Sequence, residues 1–265
     1  MRVTRTTTGR IPALESSQGA LWMVPKASGS KPLTLMNIER SIEQLHSHLV
    51  SGERRSARRF VNSLYNSGAD AESLAKDLFW PLLEMTSTLF RKDQMTTLAH
   101  HYSTRMLRML VDQAQARYEE KPLRGRSICI FCGPNETEEL AGQMVADLLE
   151  ADGYEVTFAG GGVANDDISE ELAHRQPDVL LLFASSAKDA PMIRELIDSI
   201  REKNAHPSMQ IAVGGGIFNR APGLAEEIGA DISAKGPSDL LTRLVQLETV
   251  RNERWAKKLK VRAAA

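Results

Sequence analysis

Three short runs in this 265-residue chain, polar, glycine-rich or both, fall in a pattern suited to ligand binding at a sheet edge. The first is the turn Gly133-Pro134-Asn135-Glu136-Thr137-Glu138-Glu139-Leu140-Ala141-Gly142, which follows the apolar run 127–132. The second is Ala184-Ser185-Ser186-Ala187-Lys188, and the third is Gly214-Gly215-Gly216. A further triplet, Gly160-Gly161-Gly162, lies between the first two. Glycine admits a ligand or a second backbone at close range and tolerates positive φ. Hydroxyl and carboxylate side chains supply hydrogen-bonding groups beside it. A separate candidate is the pair His100-His101, because neutral imidazole is a good transition-metal ligand. Adjacent residues of a helix differ in direction by about 100°, so both cannot point into one site. The alternative for the pair is a hydrogen-bonded or exposed surface position. No nucleophile, base and acid fall together, and catalysis is not expected.

The elements that would position these runs are read from periodicity. Ile38, Ile42, Leu45 and Leu49 form an apolar stripe at helical spacing. Ser51-Gly52 and Ser67-Gly68 end two helices, Asp70 caps a third that runs through Phe90, and Lys92-Asp93 separates it from a fourth over 95–118. Four helices with short connections imply a bundle over 33–120. Beyond the linker 119–126 the period changes. Strands are expected at 127–132, 155–159, 179–184, 210–214 and 231–233, and helices at 138–152, 167–175, 190–204, 220–228 and 237–260. Strict alternation argues a parallel sheet covered on both faces, and the unbroken apolar run Val179-Leu180-Leu181-Leu182-Phe183 suits its centre. The fold class expected is therefore α/β: an N-terminal four-helix bundle, then a five-stranded, doubly wound, flavodoxin-like sheet over 126–247. In such sheets ligands bind at the carboxyl ends of the strands, which is where the polar and glycine-rich runs fall.

Composition excludes several classes. The chain is 42% hydrophobic and 25% charged with a net charge of -1, so no bulk field calls for nucleic acid or a membrane surface. Residues 1–34 and 248–265 are each about +4, leaving the middle near -9. Those basic ends are the only route to nucleic acid, and solvated termini are the plainer reading: a disordered tail over 1–32 and a basic helix end over 248–265 that includes Trp255. No secretory signal or membrane-spanning run is seen, so a cytoplasmic location is expected. Cys129 and Cys132 have C-x-x-C spacing but lie within a strand and on opposite faces, which favours buried thiols over a redox pair.

The run from Gly142 through Val156, with Val213-Gly214-Gly215 and Gly229-Ala230-Asp231, resembles the cobalamin-binding domain family. Segments 81–90 and 99–101 resemble the helical cap of light-sensing cobalamin repressors and of methionine synthase, and the likeness covers about residues 35–240. The family's turn carries Asp-x-His-x-x-Gly, whose His ligates cobalt from below. Here Gly142 holds its place, Thr137 stands at the Asp position and Glu139 at the His position. The resemblance also implies a nucleotide-tail site at Gly214 and Gly215, with Ser185 and Ser186 nearest the family's Ser-x-Leu. It puts Phe90 where photoreceptors carry an upper-face Trp, and makes His101, with His100 beside it, the candidate for the upper face of the metal. Trp80 is read as core. A carboxylate is a harder ligand than imidazole, and Thr cannot orient an imidazole as Asp does.

The resulting expectation is a sensory or regulatory cobalamin-binding protein that holds a corrinoid between cap and sheet and signals to a regulatory protein partner, with a homo-oligomer also open. A cofactor-free interaction module is the alternative. A corrinoid subunit of a methyltransferase is disfavoured by Thr137 and Glu139, and haem held by His100 or His101 is a variant of the first reading.

Overall fold

The computed structural model describes residues 35–248; the tail and the basic terminal segment discussed above, including Trp255, lie outside the described residues. Helices α1 (Leu35–Val50) and α2 (Arg54–Asn66) open the cap. Asp70 then accepts a hydrogen bond from the Ser73 N–H at 2.7 Å and starts α3 (Ala71–Leu74). This helix runs through a π-helical turn, Ala75–Phe79, into α4 (Trp80–Arg91). The π turn was not expected from sequence. Its physical reason is Pro81, which has no N–H and crowds the carbonyl four residues earlier; a wider turn relieves both. The cap ends with α5 (Thr97–Gln115), whose first turn is capped by Thr96 Oγ1 accepting from the Ala99 N–H at 3.2 Å.

The second half alternates as the periodicity implies. Strands β1 (Ser127–Cys132), β2 (Glu155–Gly161), β3 (Val179–Phe183), β4 (Gln210–Gly214) and β5 (Ile232–Ala234) pair in parallel in the order β2-β1-β3-β4-β5. Between them lie α6 (Glu136–Ala151), α7 (Asn165–Arg175), α8 (Ala190–Lys203), α9 (Gly216–Arg220) and α10 (Leu224–Glu227), with α11 over 237–248. Several boundaries depart from the sequence reading: α5 is shorter than the expected 95–118, α7 starts at Asn165 rather than 167, and β5 is shifted by one residue. Helix α6 starts two residues early, at Glu136 rather than 138. Strand β2 continues through Gly160 and Gly161, with a register shift opposite Ile130/Phe131, so these glycines pair with β1 instead of following the strand. The single helix expected over 220–228 is two short helices split at Gly223, whose φ is 88°.

Alternate residues of each strand feed two cores, as the pleat requires. Cys129, Leu180, Leu182, Ile211 and Val213 pack under α7 and α8. Ile128, Ile130, Leu181 and Ala212 face α6 and α11, and on that side the core continues without interruption into the cap through Leu78, Phe79, Trp80, Leu107 and Leu110. The cap therefore shares a core with the sheet. Deleting a buried leucine here, such as Leu107, removes on the order of 2–5 kcal/mol of stability. The linker is fastened as well: Arg124 pairs with Asp152 at 2.7 Å and Glu248 at 3.3 Å, and Lys121 with Asp152 at 2.6 Å. The strand switch point lies between β1 and β3, beneath α4, and opens the crevice where this sheet type binds ligands.

Candidate functional site

A cleft of about 250 Å³ lies between α4 and the carboxyl edge of β1, β3 and β4. From the cap, Trp80, Glu84, Ser87, Thr88 and Arg91 line it at helical spacing. From the sheet come Thr137, Phe183, Ser185, Gly215, Gly216 and Arg220. The Trp80 ring meets Phe183 edge-on with centroids 6.3 Å apart. Its indole N–H donates to Glu84, which partly offsets the upward push that burial gives this carboxyl.

The shelf after β4 is bare backbone because little else fits. Gly215 has φ 102°, and a Cβ there would overlap the Ala184 carbonyl. Gly214 lies against the Phe183 ring, 3.2 Å from where its own Cβ would be. Beside the shelf, the Ser185 carbonyl accepts from Arg220 Nη2 at 2.5 Å. Ser186 is absent from the cleft lining and its hydroxyl accepts from the Lys188 N–H at 3.3 Å.

The turn after β1 is built differently. Glu138 is 1% exposed, its carboxylate accepting from the Ser185 N–H at 2.5 Å and from Asn135 Nδ2 at 3.2 Å. Burial, and secondarily the nearby Asp189, raise its pKa against the lowering effect of those donors. It comes so close to Gly133 that a Cβ there would overlap it. Glu139 turns the other way and forms an ion pair with Arg108 of the cap at 3.5 Å. Arg108 also donates to Gln143 Oε1 at 3.1 Å, and Gln143 donates to Asp112 Oδ1 at 2.7 Å. Glu139 is thus engaged with α5 and does not line the cleft. Gly142 is explained by packing: a Cβ would sit 2.9 Å from the Phe158 ring.

The histidines divide as helix geometry requires. His100 is half-buried, stacks on Phe90 at 4.0 Å between centroids, and lies 3.5 Å from Thr137 Oγ1. Burial, followed by His101, lowers its pKa, while Glu136 opposes this. His101 is exposed and meets His100 edge-on at 6.1 Å. Phe90 is 37% exposed. Phe90, His100 and His101 therefore form a surface cluster at the side of the cleft, joined to it through Thr137. Of the expected site residues, the fold brings Thr137, Ser185 and Gly215 to the cleft wall, with Gly214 directly behind.

Trp80, read from sequence as core, is only 9% exposed but also forms a wall of the cleft. The available signal was position: of the chain's three tryptophans, it is the one within the periodic helical region, next to Pro81. Arg91 and Arg220 were missed because they come from distant segments. Cys129 is buried and Cys132 half-buried, both are free, and burial pushes the Cys132 thiol up to about 12, which leaves it unreactive.

The glycine shelf lies across the cleft from the Trp80 ring, which meets Phe183 on the sheet edge. The donor set does not supply an imidazole beneath the cleft, since Glu139 is held by Arg108. No group of three or more metal-ligating side chains occurs among the described residues. A helical cap over a doubly wound sheet, meeting at a glycine-floored switch-point cleft, is an architecture of the ligand-binding class.

The comparisons make this specific. Residues 126–243 and residues 41–115 each match a B12 binding domain family, so that both the sheet and the cap are covered. The chain belongs to the B12 binding domain proteins, and the cofactor of that family is cobalamin. It is similar to monomethylamine corrinoid protein 1 of Methanosarcina acetivorans, 26% identical over 111 residues covering 41% of this chain and 50% of that protein. It is also similar to dimethylamine corrinoid protein 3 of Methanosarcina mazei, 24% identical over 112 residues, 42% of this chain and 66% of that one. The chain spans about half the length of the first of these curated relatives. Among solved structures, the monomethylamine corrinoid protein of Methanosarcina barkeri superposes with a TM-score of 0.62 at 16% identity, covering 79% of this chain and 99% of that one, a likeness of fold. No helix among the described residues is long and apolar enough to cross a membrane.

Proposed function

We propose that this protein is a cytoplasmic cobalamin-dependent regulatory module, in which a corrinoid at the cap–sheet cleft changes how the cap packs and a protein partner reads that change. The observation that carries the reading is the coupling of the site to the cap. The residue at the usual lower-ligand position, Glu139, is ion-paired to α5, and the upper wall, Trp80, belongs to the core shared by cap and sheet. The cleft volume of about 250 Å³ is below the range of roughly 300–1,000 Å³ usual for ligand pockets. A corrin ring seated there must displace Trp80 and α4 from Phe183, so ligand binding and cap movement are one event.

In this reading Gly214, Gly215 and Ser185 support the corrinoid from the sheet and Trp80 covers it from the cap, while Thr137 links it to His100. Bound cobalamin supplies a cobalt centre whose upper ligand can be exchanged or released by light. The chain's own residues hold it, exclude water and convert ligand state into cap position.

A second reading, a corrinoid carrier serving a methyltransferase, is favoured by the names of the relatives. The absence of histidine from position 139 weighs against it, because the family's lower His helps manage the cobalt redox cycle. The test is the absorption spectrum of protein incubated with adenosyl-, methyl- and hydroxocobalamin in the dark, desalted, then illuminated. Retained colour with a light-dependent spectral shift and a change in hydrodynamic radius is expected. Retained methylcobalamin with neither change supports the carrier, and colourless protein in all three cases supports a cofactor-free module.

A further inference from the structure

Two guanidinium groups face the same cleft from opposite sides. Arg91 comes from the last turn of α4, and Arg220 from the end of α9 below it. Neither forms an ion pair among the described residues. Arg91 donates only to Thr88 Oγ1, at 3.2 Å, and Arg220 to the Ser185 carbonyl, at 2.5 Å. The cleft's one acidic lining residue, Glu84, is engaged by the Trp80 N–H instead. Arg220 is also held in place by a glycine: a Cβ at Gly216 would come within 2.5 Å of its Nη1. Burial and the facing charge of Arg91 both lower the pKa of Arg220, so the two charges feel each other. Like charges converging without a counter-ion are unfavourable unless an anion is bound between them. Ser87, Thr88, Asn219 and Ser185 add uncharged hydrogen-bonding groups to the same lining.

We propose that Arg91 and Arg220 form a two-armed clamp for a phosphate-class anion, drawing the cap onto the sheet edge beside the glycine shelf. Guanidinium presents a planar fork that fits two phosphate oxygens at once, which a lysine cannot do. The anion has two sources with the same chemistry: the phosphodiester in the nucleotide loop of a bound cobalamin, or free phosphate. The first source rests on the corrinoid reading given above; the clamp itself does not.

Titration calorimetry at low salt on the full chain separates these outcomes, with hydroxocobalamin, with cobinamide, which lacks the nucleotide loop and its phosphate, and with inorganic phosphate. R91Q, R220Q and the double variant are titrated alongside, and thermal unfolding shows that each is folded. The expected result is cobalamin binding at least about tenfold tighter than cobinamide, with the difference shrinking by about tenfold in each single variant, as loss of a charge-assisted hydrogen bond implies. R220K is expected to recover only part of it. If no corrinoid binds but phosphate binds and loses affinity in both variants, the clamp stands with free phosphate as its ligand and the corrinoid reading fails. If neither phosphate nor the cobalamin–cobinamide difference responds to either substitution, the clamp is overturned.

Discussion

The two turns that frame the cleft solve opposite problems. The shelf after β4 is backbone alone, at positions where Gly215 and Gly216 could not carry side chains without displacing Ala184 or Arg220. The turn after β1 is filled by carboxylates already committed within the protein, Glu138 to the Ser185 N–H and Glu139 to Arg108. The shelf leaves bare backbone facing the cleft, whereas the β1 turn ties the sheet to the cap. In the proposed function this difference assigns recognition to the shelf after β4 and coupling to the turn after β1.

The largest expected effect comes from filling the shelf. Gly215→Val places a β-branched residue at φ 102° and against the Ala184 carbonyl. A loss of about 3 kcal/mol in urea unfolding is expected from backbone strain and overlap together, along with loss of cobalamin binding. A stable Gly215→Val protein that retains colour would show that the shelf does not define the site.

The cap side of α6 gives the next effect. Asp147 is 7% exposed, Oδ2 has no hydrogen-bond partner, and burial, with Glu150 and Asp112 behind it, raises its pKa to about 7. The folded protein therefore keeps this proton up to neutral pH, whereas the unfolded chain loses it near pH 4. Folding stability then falls as pH rises from about 4 to 7. Asp147→Asn should flatten that slope and add up to about 4 kcal/mol at pH 8, with little change at pH 4, in paired urea curves. An unchanged slope would mean that the α6–cap contact is not electrostatically strained.

Breaking the latch should matter less. Arg108 and Glu139 have side chains 32% and 40% exposed, so a double-mutant cycle of Arg108→Gln and Glu139→Gln should give a coupling energy of only about 0.5 kcal/mol. Its informative consequence is on binding: if the β1 turn couples and does not recognise, Glu139→Gln changes cap movement on cobalamin addition more than it changes affinity. The smallest effect is expected at the surface cluster. His100→Ala removes the stack on Phe90 and should cost about 0.5–1 kcal/mol, and the exposed His101→Ala less again.

The fold was largely legible because its signals are local and repeated. The period changes at 126, β3 is continuously apolar, and Asp70 and the Ser-Gly pairs mark the cap's helix ends. The shelf was legible for a similar reason, as glycine after a strand is a backbone statement. The β1 turn was harder, because three acids in a first helical turn suit the helix dipole whichever way they point. Yet Glu138, Gly142, Val145 and Leu149 share one buried stripe at helical spacing, a signal that would have turned Glu138 inward. The π turn before Pro81, the Arg108–Glu139 pair and the approach of Arg91 to Arg220 depend on how cap and sheet dock. That docking follows from a shared core which no local pattern specifies.

The central claim is that the site binds cobalamin without a protein imidazole below the cobalt. Electron paramagnetic resonance of cob(II)alamin bound to protein grown with ¹⁵N-histidine tests it directly. Nitrogen splitting identical to that of unlabelled protein is predicted, with the cofactor's own base or water as the lower ligand. A splitting pattern altered by the label would place a histidine on cobalt and contradict the account.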